Sequence, residues 1–85
     1  MPYKITIKPA AQKELEKIQK PDRVKIIAAI SELGQDPRPP GCKKLLNFEN
    51  HYRIRTGNYR VIYSILDKEL IVEVVKVGDR KDIYR

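Results

Sequence analysis

The chain has 85 residues, 41% hydrophobic and 34% charged, enough for one hydrophobic core but too few for two, so residues 1–85 are expected to form a single domain. This mixture fits a soluble globular chain better than a disordered or membrane one. With 18 Lys and Arg against 11 Asp and Glu the formal charge is +7, which draws polyanions and leaves nucleic acid, anionic lipid or an acidic protein as partners, with solubility as the charge's other use.

No apolar run approaches the roughly 20 residues that span a bilayer. Met1-Pro2-Tyr3-Lys4 leads into a strand-like segment and not into a signal peptide, so a cytoplasmic chain with no membrane partner is expected. Cys42 is the sole cysteine. It can build neither an internal disulfide nor a cysteine-based metal cluster, and no cofactor or metal is implied.

In residues 3–8, Tyr3, Ile5 and Ile7 alternate with Lys4, Thr6 and Lys8, the pattern of a half-buried strand, and Pro9 stops it. Ala11, Leu15 and Ile18 follow at helical spacing, with Lys13, Glu14, Glu16 and Lys17 outside. Pro21 and Asp22 suit the first turn of a second helix. That helix is expected to bury Val24, Ile26, Ile27, Ile30 and Leu33 and to end at Gly34.

The stretch DPRPPGC, residues 36–42, holds three prolines and is read as a stiff connector. Beyond it the period changes to two, and residues 43–46, 51–56, 59–66 and 70–77 read as strands. The expected fold is α+β, an N-terminal strand and a two-helix hairpin packed on a twisted antiparallel sheet.

Gly57-Asn58 separates two alternating runs by two residues, and a Gly-first pair suits a type II′ hairpin turn. Thr56 then faces Tyr59, Arg55 faces Arg60, Ile54 faces Val61, Arg53 faces Ile62 and Tyr52 faces Tyr63. One face carries Tyr52, Ile54, Tyr59, Val61, Tyr63 and Ile65 toward the helices, which makes these tyrosines core residues and not base-stacking ones. The other, solvent-facing side carries Arg53, Arg55 and Arg60. Like charges placed directly opposite on a sheet repel. Either phosphate binding offsets that repulsion, since guanidinium forks match phosphate oxygens, or the arginines splay into solvent or pair with Glu73.

The C-terminal VGDRKDIYR adds Arg80 and the phenol of Tyr84. Together PRPPGCKKL, YRIRTGNYRVIY and VGDRKDIYR, in this order and at these distances, resemble the RelE/ParE superfamily of toxin–antitoxin toxins, in its RelE-like branch, over essentially the whole chain. The resemblance implies a compact α+β toxin of a type II system, a metal-free endoribonuclease (mRNA interferase) that cuts messenger RNA in the ribosomal A site and inhibits translation. It implies a cognate antitoxin as partner, with operator DNA reached only through the toxin–antitoxin complex. Carried over by residue, the implied catalytic set is Arg53, Arg55, Arg60, Arg80 and Tyr84. Relatives have lysine where this chain has Arg53 and Arg55, and many have histidine or lysine where it has Asp79. The phosphate clamp survives that exchange, but arginine does not donate or accept protons as lysine can.

Tyr84 is the candidate general base, resembling the family's tyrosine, with tail anchoring or base stacking as its other use. His51 shares a face with Arg53 by alternation and is a reserve acid or base, or a bystander. Lys43, Lys44, Lys76 and Lys81 are candidate RNA-backbone contacts or a solvated rim. Two other functional classes fit the same fold: a non-enzymatic ParE-like inhibitor of DNA gyrase, and an inactive basic interaction module.

Overall fold

Prolines and glycines set the element boundaries. The protein, a computed structural model describing residues 2–79, begins with strand β1 (Lys4–Ile7) and passes through Lys8 into helix α1 (Pro9–Glu16). Lys8 is extended, at ψ 148°, and the ring of Pro9 presets a helical φ where the missing N–H has no partner to lose. Helix α2 (Lys20–Glu32) opens in the same way after an extended Gln19, with Pro21 and Asp22 in its first turn.

The core stripe of α2 is Ile26, Ile30 and Leu33, all 3% exposed or less. Val24 and Ile27, expected inside, are 55% and 46% exposed. At 100° per residue Ile27 lies about 100° and Val24 about 160° around the helix from Ile26, so a stripe wide enough for the first three excludes them. Close approach then ends the helix. Tyr3 N donates a 2.7 Å hydrogen bond to Gly34 O, and a Cβ on Gly34 would lie 3.0 Å from Tyr3 O.

After the connector come β2 (Lys43–Lys44), β3 (His51–Thr56), β4 (Tyr59–Leu66) and β5 (Ile71–Asp79). β2 is shorter than the expected strand over residues 43–46. The sheet order is β1-β5-β4-β3-β2. β2 through β5 are antiparallel neighbours, but β1 pairs in parallel with β5. The sheet is therefore mixed, which corrects the all-antiparallel expectation. Local alternation fixes which face Ile5 and Ile7 use, and either direction of pairing would satisfy it; the helical crossover after β1 sets the direction.

The central hairpin has the expected register at every pair from Tyr52↔Tyr63 to Thr56↔Tyr59. Gly57 has φ +60° while Asn58 is not among the residues of positive φ, as a type II′ turn requires. Between β4 and β5 the register slips: Ile62 pairs with Lys76 and Tyr63 with Val74, leaving Val75 as a bulge. The extra residue keeps Val72, Val74 and Val77 all on the core face, each fully buried, and turns Lys76 to the other side. The core joins these valines to Ile54, Val61, Tyr63 and Ile65 and to Ala11, Leu15 and Ile18 beneath the helices, with Tyr52 and Tyr59 packed at its edge. Each buried aliphatic side chain contributes about 1.5–3 kcal/mol relative to exposure.

Candidate nucleic-acid interface

On the sheet face away from the helices, cross-strand pairing lines up side chains in rows. One row runs Lys43, Arg53, Ile62, Lys76 across β2 to β5, and the next places Arg55 opposite Arg60 and Arg60 opposite Gly78. Adjacent strands are about 4.8 Å apart. Five cations, Lys43, Arg53, Arg55, Arg60 and Lys76, thus share one patch. Lys44 pairs with Tyr52 and so belongs to the opposite side of the sheet, away from this patch. Glu73 lies in the row of His51 and Ser64, beyond the arginine rows.

The patch is not the open surface the sequence suggests. Arg53 is 5% and Arg60 6% exposed, whereas Arg55 is exposed. A guanidinium removed from bulk water exerts a stronger field on a nearby anion, because less solvent screens it. A recess of about 290 Å³ opens between Pro40, Gly41 and Lys43 on one side and Arg53, Ile54 and Arg55 on the other. It would admit a phosphate to the arginine forks.

The wall of that recess is held by the connector. Tyr63 donates from its hydroxyl to Pro37 O at 2.7 Å. Arg38 makes a 2.9 Å ion pair with Asp67, and its guanidinium lies 5.2 Å from the Tyr52 ring centroid, whose ring stacks on Tyr63. Tyr3 donates to the same Asp67 at 2.6 Å. Hydrogen bonds from Arg38 and then Tyr3 hold the Asp67 carboxyl below its usual range. Burial, then neighbouring Cys42, pushes the Tyr63 phenol up. Arg38 and Asp67 carry no sequence cue of their own, since the partners are 29 residues apart.

His51 lies on the cationic face, with Nδ1 2.7 Å from Glu49 O. A carbonyl only accepts, so Nδ1 carries the proton and a neutral ring keeps its lone pair on Nε2. Next to it is an apolar recess of about 390 Å³ lined by Leu45, Leu46, Asn47, Phe48, His51, Ile62, Val75 and Lys76. Sequence reasoning passed over Phe48 and placed Leu46 in a strand. The available signal was the apolar pair in LLNFEN, which no strand or helix period accommodates. Arg80, Lys81 and Tyr84 lie outside the described residues.

Two helices on one face of a five-stranded sheet and a cation cluster on the other define a small α+β domain with one basic face. The sequence matches the family described as ParE toxin of type II toxin-antitoxin system, parDE, over residues 5–84. The chain is 32% identical to Toxin RelG of Mycobacterium tuberculosis, covering all of this chain and 99% of the relative. It is 28% identical to the mRNA interferase toxin RelE of Escherichia coli K12, over 99% of this chain and 92% of that one. The toxin fold in the crystal structure of the archaeal RelE-RelB complex from Pyrococcus horikoshii superposes with a TM-score of 0.84 at 28% identity, covering 96% of this chain and 99% of that one. The chain belongs to the ParE toxin family of type II toxin–antitoxin systems, in its RelE-like branch.

Proposed function

We propose that this protein is the toxin of a type II toxin–antitoxin pair and acts as a ribosome-dependent endoribonuclease on messenger RNA. The observation that carries the reading is the convergence of Lys43, Arg53, Arg55, Arg60 and Lys76 on one sheet face, in a chain similar to a named mRNA interferase. The relative from Pyrococcus is a toxin bound to RelB, which supports a cognate antitoxin as this chain's partner. Operator DNA would be met only in that complex. No helix among the described residues is long and apolar enough to cross a membrane, and a cytoplasmic site of action follows from the ribosomal substrate.

In the proposed reaction the ribose 2′-hydroxyl attacks the adjacent phosphorus and the 5′-oxygen leaves, giving a 2′,3′-cyclic phosphate and a 5′-hydroxyl. The 2′ proton passes to a base and the leaving oxygen gains one. Arg53, Arg55, Arg60 and Arg80 stabilise charge growing on the phosphoryl oxygens, a role in which a fixed, poorly solvated donor is worth about 10²–10³ in rate. Tyr84 is the proposed base. The Nε2 lone pair of His51 makes it the reserve for proton transfer. Lys43, Lys76 and Lys81 hold flanking phosphates, while Lys44 would reach RNA only around the sheet edge.

The test is to add the purified chain to translating ribosomes and map the ends of the message. Cuts bearing 5′-hydroxyls, lost in Arg55→Ala, are expected. The ParE-type alternative is favoured by the family description; intact message together with a blocked gyrase supercoiling reaction would replace the present reading with it.

A further inference from the structure

Apolar side chains exposed beside a cationic patch need an occupant, because water gains nothing from them. Leu46 is 99% and Phe48 59% exposed, and the Phe48 ring is tilted against His51 at a centroid separation of 5.6 Å. These residues form one wall of the 390 Å³ recess, whose floor is Ile62. In the sheet Ile62 is paired to Arg53 on one side and to Lys76 on the other. An apolar slot one strand wide is thus bordered by two cations about 10 Å apart. This is the layout that single-stranded nucleic acid requires, with a flat base on an aromatic shelf and its phosphates on adjoining cations.

We propose that the Phe48 recess is a nucleobase subsite that takes one unpaired RNA base flanking the phosphate held by the arginine cluster. The inference rests on the RNA-directed reading above and extends it to a residue-level determinant of sequence preference. The recess volume lies in the range of about 300–1,000 Å³ usual for small-ligand sites. Besides Lys76, the polar groups that line it are the Asn47 amide and His51. With Nδ1 donating to Glu49 O, Nε2 of a neutral His51 ring is an acceptor, so the subsite with that ring favours bases that present an exocyclic amino group, adenine or cytosine, over uracil.

The bulge makes the subsite possible. With Val75 bulged, both Val75 and Lys76 line the recess; if Val75 took a regular place in the ladder, Lys76 would face the helices.

The experiment measures binding by fluorescence anisotropy of 2′-O-methyl RNA hexanucleotides, which lack the attacking hydroxyl, with an adenine, a uracil or an abasic unit at the third position. The wild-type chain is expected to bind the adenine oligonucleotide about tenfold tighter than the abasic one, the scale of one stacking contact. Phe48→Ala should remove that ratio and leave the salt dependence unchanged. Equal binding of adenine and abasic oligonucleotides overturns the proposal, as does a Phe48→Ala chain that still discriminates. Equal binding with wild-type self-association that Phe48→Ala abolishes would give the recess to a second copy instead. Because these oligonucleotides are not cut, base discrimination without message cleavage would sink the nuclease reading alone, and cleavage without discrimination would sink the subsite alone.

Discussion

The hydroxyl of Tyr63, in the middle of β4, donates a 2.7 Å hydrogen bond to the carbonyl of Pro37 in the connector. Tyr63 is fully buried, so this bond ties the proline-rich segment to the sheet core and fixes the wall of the recess beside Arg53. Tyr63→Phe leaves a buried carbonyl without its donor and should cost about 1–3 kcal/mol in urea unfolding. The phenol is held protonated in the folded state, while the unfolded chain ionises it near pH 10. Stability from this group is therefore full below about pH 10 and falls as pH rises above it; Tyr63→Phe should flatten that alkaline limb.

At the surface end of the same connector, Arg38 and Tyr3 hold Asp67 in its charged form. A carboxylate whose folded pKa is lowered stabilises the fold above its unfolded value, about 3.9, and the gain disappears as pH falls through the folded value. Melting temperatures measured from about pH 6 down to pH 2 should drop less steeply in Asp67→Asn. Because the pair is exposed, salt near 1 M should shrink the difference between the two proteins.

Gly34 lies where α2 meets the start of β1. A methyl group there would lie 3.0 Å from Tyr3 O and 3.3 Å from Ser31 O, both backbone atoms. Neither can rotate away, so Gly34→Ala should destabilise by about 1–3 kcal/mol. An unchanged urea midpoint would show that β1 slides more freely than its 2.7 Å bond to Gly34 implies.

Deleting Val75 removes the bulge between Ile62 and Tyr63. Val74, Lys76 and Val77 would then be consecutive, and strict alternation keeps Val74 and Val77 facing the core and Lys76 facing away, in the pairs they already form. The deletion variant should keep a cooperative thermal transition by circular dichroism. Loss of that transition would mean that the extra residue is needed to fit the twist of β5 against β4.

For the cation patch, Arg55→Ala should lower message cleavage by about 10²–10³, with a melting temperature close to wild type because Arg55 is exposed. Lys43→Ala and Lys76→Ala should instead weaken RNA binding evenly across sequences, each reducing the slope of log affinity against log salt by about one. Lys44→Ala, on the other side of the sheet, should change it less.

The patch was legible in the sequence because a strand's period is two and Gly57-Asn58 admits one tight turn; those local rules bring Arg53, Arg55 and Arg60 together and send Tyr52, Tyr59 and Tyr63 to the other face. The strand stop at Pro9 and the helix start at Pro21 were legible for the same reason, since a proline restricts its own φ wherever it stands. The parallel docking of β1 on β5 was not, because it joins Lys4 to Ile71 across the length of the chain. Nor was the bulge, since VEVVKV alternates equally well in two phases until both edges of β5 are paired. Burial of Arg53 and Arg60 and the Phe48 recess depend on what several distant segments bring into one place. The chain alone determined which face each hairpin residue occupies, because nearest neighbours decide it; only the tertiary structure decided how deeply those residues are covered and what stands beside them, because covering atoms come from distant positions.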